Sequence, residues 1–277
     1  MNLLYYTAMR IAPAGFAGLL FWGAPLASAA QELSPCVSAA MVADGTTDSR
    51  TPCTAPKRAA LLELGYRNVT VANTSGFGLT AYPAATVRYG VTDALELNVS
   101  PGSYERVRAG TATAHGYGDT TLGARYRVFG SGRTVVSAIA DISVASGDVP
   151  YGAGKPQYFA ALASAFALRP GVGVQASVGY ASRQEDALSF SAPAWYATYS
   201  PAIALIFSEP RGSSFYVEGS GTTKAASGAG PEYKLGVGAR RALGKKYVID
   251  LGLKDGLTLV RGSRSHELDV AFASLLR

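Results

Sequence analysis

The sequence predicts an all-β fold, a closed, antiparallel, up-and-down transmembrane β-barrel of about twelve strands. Three observations lead to this prediction. Apolar and polar residues alternate at every second position over most of the chain after residue 58, which is the period of a two-faced strand. Charged residues make up only 16% of the chain, which contains 32 glycines and 16 tyrosines. Residues 1–30 also have the pattern of an export signal.

Residues 1–30 are expected to be a secretory signal peptide. Arg10 is the only charged residue of this stretch, and the apolar run after it ends in small residues, so that cleavage after Ala29 or Ala30 fits equally well. The alternative is a transmembrane helix that anchors a soluble domain. Two prolines interrupt the apolar run and favour the signal peptide.

Residues 31–58 are expected to form a periplasmic segment. The stretch is polar, rich in proline and threonine, and contains Cys36 and Cys53, the two cysteines of the chain. Because an exported chain enters an oxidising compartment, a disulfide between them is expected, and two unpaired thiols are the alternative. No histidine lies near either cysteine, so no zinc site of the usual four-ligand kind is predicted, and no other metal or cofactor is expected.

Residues 59–277 are expected to form the barrel. In its first strand, Leu62 and Leu64 fall on one face and Glu63 on the other. The strand predicted at 157–168 has no clear facing, because both of its faces are apolar or small. The candidate strands are residues 61–71, 80–90, 94–100, 116–129, 134–144, 157–168, 172–183, 194–207, 214–220, 232–243, 247–254 and 266–276.

The connections between the predicted strands alternate between short turns and mostly longer polar loops. Outer-membrane barrels show this asymmetry, with tight turns on the periplasmic side and longer loops outside. An even number of strands places both chain ends in the periplasm. Ten or fourteen strands would satisfy the same pattern.

A soluble β-sandwich or barrel would alternate in the same way, so the content of each face decides between water and membrane. Here the polar faces carry few charges among Gly, Ser and Thr, and the apolar faces are continuous. Aromatic residues recur near strand ends, as in the girdles at membrane interfaces. These are Tyr66, Tyr89, Tyr180, Trp195, Tyr199 and Tyr247.

One stretch resembles a known family. From Gly118 to Arg127 the chain reads GDTTLGARYR, and this resembles the Gly-Asp-Thr-Leu-Gly-Lys/Arg-Tyr-Arg pattern of a bacterial family of meta-pathway phenol-degradation transporters. YVIDLGLKDGLT near the end is similar to a second family pattern, although Asp255 stands where the family has an aromatic residue. The resemblance spans residues 61–277. It implies an outer-membrane barrel that admits small, often aromatic, compounds.

The end of the chain departs from the usual pattern of such barrels. They often finish on Phe or Tyr, which the barrel-assembly machinery reads during biogenesis. Here the last aromatic residue is Phe272, and the chain finishes on Leu275, Leu276 and Arg277. This departure puts the assembly signal in doubt.

The polar faces together predict a charged lumen with a near balance of acids and bases. Such charges either brace the barrel wall by pairing across neighbouring strands or set the selectivity of a pore. Asp119, Arg125 and Arg127 are the candidates for a constriction or an electrostatic filter. The residues predicted to line a pore are Asp119, Arg125, Arg127, Arg88, Glu96, Asp141, Lys234, Arg240 and Asp250.

The function expected from the sequence is that of an outer-membrane channel or transporter for small molecules. The alternative is a closed structural or adhesive barrel whose outer loops bind a surface partner. A lipid hydrolase is a distant third. Its catalytic Ser and His must lie on the same face, whereas Ser265 and Glu267 are the strand neighbours of His266 and point to the opposite face. No catalytic residue is therefore predicted. Basic residues are scattered singly through apolar runs, so nucleic acid is not an expected partner, whereas membrane lipid and small solutes are.

Overall fold

The structure is a computed structural model, and it describes residues 35–36, 42–71, 76–149, 151–184, 195–210, 212–225, 229–258 and 264–276. The predicted signal peptide at 1–30 lies outside the described residues. Within the described ranges, no helix is long and apolar enough to cross a membrane.

The described part of the chain forms one closed antiparallel sheet. β1 pairs with both β2 and β14, which closes the ring. β3 and β4 both pair with β2 and together take one position in the ring, and β5 and β6, which pair with β4 and β3, take the next. The 14 strands therefore form a barrel of 12 strand positions, which confirms the predicted fold class. The strands are β1 (Ala60–Val71), β2 (Gly78–Gly90), β3 (Leu95–Ser100), β4 (Tyr104–Ala109), β5 (Ala112–Tyr117), β6 (Thr120–Gly130), β7 (Thr134–Val144), β8 (Gln157–Arg169), β9 (Val172–Gln184), β10 (Trp195–Ser208), β11 (Ser213–Thr222), β12 (Glu232–Leu243), β13 (Tyr247–Gly256) and β14 (Ser265–Leu276).

The alternation along the strands gives the barrel an apolar outside and a polar inside. In β1 the Leu64 side chain is exposed on the outer surface, and Glu63 beside it is buried in the interior. In β8, whose facing the sequence left open, Leu162 is 55% exposed while Ala163 is 1% exposed. The aromatic residues predicted for the membrane interfaces all lie on the outer surface. A sheet in lipid must pair all its backbone groups, and closure of the ring does this.

Short and long connections lie at opposite ends of the barrel. The turns after β2, β6, β8, β10 and β12 are short. They lie at the end of the barrel where β1 begins and β14 ends, which we call the short-turn end; the opposite end is the long-loop end. The loops at the other end are longer, and there β4 and β5 form a hairpin that the sequence did not predict. By the rule for outer-membrane barrels, the short-turn end is the periplasmic one.

A small apolar core lies inside the barrel at the short-turn end. It joins residues that precede β1 to inward-facing residues of β1, β13 and β14. Its buried members are Val42, Ala43, Cys53, Ala55, Ala59, Leu61, Val248, Ala273 and Leu275.

Candidate functional site

Residues 42–58, which we call the luminal segment, lie inside the barrel at its short-turn end. They form hydrogen bonds with inward-facing side chains of β1, β2, β3, β6, β7, β9, β11, β12 and β13. This part of the chain, for which the sequence predicts a periplasmic segment, thus lies within the ring of strands. The physical reason is that the ring of inward charges offers a polar backbone more partners than the turns outside it.

Four inward carboxylates hold the luminal segment by its backbone amides. Each one is buried, so accepting these hydrogen bonds satisfies oxygens that would otherwise be costly to remove from water. The bonds run to Glu63 from Asp44 at 3.1 Å and Gly45 at 3.2 Å, to Glu218 from Asp48 and Ser49 at 2.8 Å each, to Asp250 from Thr46 at 3.1 Å, and to Glu96 from Ala55 at 2.6 Å.

Three inward arginines hold the carbonyl oxygens of the same segment and pair with the same acids. Arg88 is only 1% exposed and donates through Nε to Glu96 at 2.7 Å and through Nη1 to Glu63 at 2.9 Å. Planar guanidinium groups suit this task because their donors diverge towards several acceptors at once. Carbonyl oxygens accept from Arg88 at Val42 (2.7 Å) and Cys53 (2.8 Å), from Arg125 at Cys53 (3.0 Å), and from Arg240 at Ala43 (3.3 Å) and Asp44 (3.2 Å).

Two acidic side chains of the luminal segment form ion pairs with basic side chains of the barrel wall. Arg125 donates to the Asp44 carboxylate at 2.8 Å, and Lys254 donates to Asp48. Burial alone would raise the pKa of Asp44, but the guanidinium groups of Arg125 and its neighbours outweigh it and hold that pKa well below its usual range. The pKa of Asp48 is lowered in the same way, because the Lys254 ammonium group outweighs burial.

Gly45 occupies a tight position of the luminal segment. Its φ is +63°, in the left-handed region that side chains rarely adopt. A Cβ there would lie 2.1 Å from Asp250 Oδ2 and 2.4 Å from Arg240 Nη2. Only glycine therefore lets this turn approach the Arg240–Asp250 ion pair, whose nitrogen and oxygen are 2.7 Å apart.

The predicted disulfide is confirmed, and it lies within the barrel. Cys36 and Cys53 are bonded across a sequence separation of 17. Cys53 is 1% exposed and belongs to the small apolar core, while Arg88 and Arg125 bind its carbonyl oxygen. The bond thus ties the luminal segment to the residues that precede it at its anchored end.

A second charge cluster lies on the inner face of β1, β12, β13 and β14. Lys254 Nζ is 3.3 Å from a Glu267 oxygen and 3.1 Å from an Asp269 oxygen. Arg67 Nε is 3.1 Å from each of the same two acids, and Lys234 is 2.8 Å from Glu267. Three bases and two acids on adjacent strands therefore pair with one another and brace this part of the wall. This is one of the two roles that the sequence predicts for the inward charges.

The residues predicted to line a pore fall into three groups. Arg88, Arg125, Asp141 and Lys234 line a cavity in the lumen. Glu96, Arg240 and Asp250 are buried against the luminal segment.

Asp119 and Arg127 form the third group, away from that cavity. The Asp119 carboxylate accepts hydrogen bonds from the amides of Ser146 (3.0 Å), Gly147 (2.8 Å) and Ala153 (2.8 Å), so it anchors the loop after β7. Arg127 is half-buried and lies one inward position beyond Arg125 towards the short-turn end.

The cavity occupies the outer part of the lumen and has a volume of about 720 Å³. The luminal segment forms its floor through Asp44, Thr46, Asp48 and Arg50, and the ends of β9, β11 and β12 form its outer wall. Its lining mixes ion-paired charges with apolar groups. The apolar and aromatic side chains that face it include Leu79, Ile139, Phe159 and Ala202. A space of this size accommodates a small organic molecule.

Sequence reasoning missed several residues of this site. Ser137, Gln175 and Ser177 bind the luminal segment. The alternation does place Glu218 on the inner face, but it does not predict that Glu218 accepts two amides of this segment. A usable signal was present for Glu218, which is an isolated acid in an otherwise apolar or small strand. Serine and glutamine carry no such signal, because they are common on any wet face.

The two histidines lie on the outer surface of the barrel. His266 lies on the outer surface, whereas Ser265 beside it is buried and donates to Glu232 at 3.1 Å. His115 is also on the outer surface, in ring contact with Tyr104. Among the residues that the structure describes, no cluster of His, Cys, Asp or Glu could hold a metal ion.

Comparison with known families gives one match over most of the chain. A family model described as "Putative MetA-pathway of phenol degradation" matches residues 43–270. The match covers the luminal segment and nearly the whole barrel, and it agrees with the resemblance predicted from the GDTTLGARYR stretch. A search among curated proteins finds no match.

Solved structures share the fold of this chain at low sequence identity. The COG4313 outer membrane channel from Pseudomonas putida F1 has a TM-score of 0.65 at 17% identity, over 80% of this chain and 96% of that one. The NanC porin has a TM-score of 0.51 at 9% identity, over 78% and 98%. The translocator domain of the autotransporter NalP from Neisseria meningitidis has 0.50 at 10% identity, over 78% and 87%. The fold is thus that of outer-membrane barrels.

Proposed function

The chain belongs to the family described as "Putative MetA-pathway of phenol degradation", and on that premise we propose that it is a bacterial outer-membrane channel that takes up small, aromatic or otherwise hydrophobic molecules. The family description supports the aromatic substrate class. The apolar outer surface, the aromatic residues at both ends of the strands and the closed ring support the membrane location.

One observation carries the proposal of transport. The outer part of the lumen contains the cavity of about 720 Å³, and among the described residues the luminal segment lies between it and the short-turn end. A barrel built only as a scaffold has no need of a cavity closed by a separate piece of chain. The segment is held by hydrogen bonds to its backbone, by ion pairs of Asp44 and Asp48, and by a small apolar core at the short-turn end. Because the strands of the ring pair with one another independently of these contacts, we expect the segment to leave its position while the ring stays closed.

The cavity suits molecules with an apolar body and one polar group. Phe159 and Ile139 offer apolar contact, and the Arg50 guanidinium lies 5.4 Å from the Phe159 ring centroid. A phenolic hydroxyl has the bonding capacity to reach Arg50 or Asp141 while its ring packs on the apolar wall. This combination distinguishes the cavity from the wholly polar interior expected of a sugar pore.

Transport is tested with the purified full chain in proteoliposomes. We expect uptake of phenol and benzoate to exceed the uptake of a sugar of similar mass, and we expect a low, fluctuating conductance in planar bilayers. A matched variant, Phe159→Ser, should reduce the uptake of aromatic solutes and leave the ionic conductance unchanged.

The alternative of a closed structural or adhesive barrel makes the opposite prediction. It expects no uptake of any solute above that of protein-free liposomes, and no conductance even in variants whose luminal segment is displaced. That outcome would overturn the proposal of a channel.

A further inference from the structure

A row of tyrosines crosses the outer surface of the barrel on β1, β2, β4 and β5. Tyr82 pairs with Tyr104 across β2 and β4, and Tyr104 pairs with Tyr117 across β4 and β5. The ring centroids are 6.3 Å apart for Tyr66 and Tyr82, 5.5 Å for Tyr82 and Tyr104, and 5.4 Å for Tyr104 and Tyr117. Amphipathic rings at this position mark the level at which the lipid tails end and the headgroups begin.

Cations follow directly beyond this tyrosine row, on the same outer face. Directly paired residues of an antiparallel sheet share a face. Thr80 pairs with Arg106, which pairs with His115, in the row next to the tyrosines towards the long-loop end. Arg108 lies one row further and pairs with Thr113. The two guanidinium groups project from positions about 7 Å apart along β4.

These arginines carry charge that the described part of the chain does not neutralise. Both are exposed, and among the described residues no carboxylate forms an ion pair with either of them. Glu105, between Tyr104 and Arg106, faces the interior and lines the cavity. Asp148, beside β5, accepts a hydrogen bond from the Tyr117 amide at 2.8 Å, and Asp255, further around the barrel, is paired with His266. The outer face of the β4–β5 hairpin is therefore cationic.

We propose that this surface, formed by Arg106, Arg108 and His115 above the tyrosine row, binds the phosphate groups of an outer-leaflet glycolipid. Guanidinium groups bind phosphate through two parallel hydrogen bonds, and they do so best where part of the water is excluded. The tyrosine row sets the acyl chains of the lipid against β2, β4 and β5, which places its phosphorylated headgroup at the level of the arginines. The bound lipid would fix the β4–β5 hairpin, which has no further strand beside it at the long-loop end.

The proposal goes beyond transport and is tested by lipid binding. Purified full-length protein in detergent is titrated with diphosphorylated lipid A and with the same lipid after removal of both phosphates, and bound lipid is counted by native mass spectrometry. We expect the wild-type protein to prefer the phosphorylated lipid by about tenfold to a hundredfold, as one or two charge-assisted contacts to phosphate imply. Equal binding of the two lipids by the wild-type protein would overturn the proposal.

A matched pair of double variants separates this site from general charge. Arg106→Gln with Arg108→Gln should abolish the preference, whereas Lys245→Gln with Lys246→Gln, which removes two exposed cations from the short-turn end, should keep it. Arg106→Lys with Arg108→Lys should retain part of the preference. Unchanged preference in the glutamine double variant at 106 and 108, with its heat-modifiable gel migration intact, would contradict the assignment.

The same preparations keep this proposal distinct from the proposed channel. Conductance and solute uptake should be equal in the wild type and in the variant with glutamine at 106 and 108, because neither arginine lines the cavity. A protein that binds lipid A as expected but passes no solute would refute the channel alone. One that passes solutes without a phosphate preference would refute the lipid site alone.

Discussion

Replacing Gly45 by alanine should open the barrel, because this residue lets the luminal segment pass beside the Arg240–Asp250 ion pair. The added Cβ would lie 2.1 Å from Asp250 Oδ2 and 2.4 Å from Arg240 Nη2. Either the ion pair moves or the segment leaves its position. In both cases the hydrogen bonds from the Gly45 amide to Glu63 (3.2 Å) and from the Thr46 amide to Asp250 (3.1 Å) are disturbed.

The size of the effect follows from these losses. A non-glycine residue in the left-handed region costs about 1 to 2 kcal/mol. Each hydrogen bond to a charged group contributes roughly 1.5 to 3 kcal/mol. Loss of one such bond together with the backbone strain destabilises the docked segment by about 3 to 5 kcal/mol, which raises its undocked fraction by about a hundredfold to several thousandfold.

The assay is single-channel recording of the full-length Gly45→Ala variant in planar bilayers. We expect a large rise in the fraction of time spent in a high-conductance state. The control is Gly244→Ala, because Gly244 has a φ of +69° and no atom within 4 Å of the added Cβ, so it carries the backbone strain without the clash. Equal conductance in the two variants would show that the luminal segment does not limit the passage of ions.

Three further predictions concern the contacts that hold the luminal segment. Arg88→Met should lower the free energy of unfolding of the barrel by about 3 to 5 kcal/mol in urea titrations, because it leaves buried acids unpaired. The control is Arg241→Met, which removes an exposed arginine, and an equal loss of stability in both variants would refute the argument. Cys36→Ser with Cys53→Ser should raise the frequency of brief openings, because a loop of this length contributes about 3 kcal/mol of restraint, and unchanged gating would contradict it. The pKa of Asp44 is lowered, so its contribution to docking is complete above its ordinary pKa of 3.8 and is lost only as pH falls below it. Conductance should therefore be constant from about pH 7 to pH 5 and rise in more acidic buffer, and a rise already near pH 6 would exclude this carboxyl as the cause.

The position of the luminal segment was beyond local sequence reasoning. Its partners lie between 18 and 206 residues away along the chain, from Glu63 near its own end to Lys254 on β13. A polar, proline-rich stretch next to a predicted barrel looks the same whether it stays in the periplasm or enters the lumen. The β4–β5 hairpin was missed for a related reason, because both of its faces contain polar residues and no alternation marks it.

The sequence by itself determined the strands of the barrel and the facing of most of them, since a period of two assigns each side chain to one face wherever Leu, Val or Tyr alternates with Glu, Asp or Arg. It could not orient β8, where Phe159 and Ala163 turn inward only because closure of the ring fixes the register with β7 and β9. Tertiary structure alone decided which inward charges pair with one another and which hold the luminal segment. The reason is that a closed barrel brings carboxylates and guanidinium groups that are distant in the sequence together as buried groups, whose hydrogen bonds the backbone of the luminal segment completes.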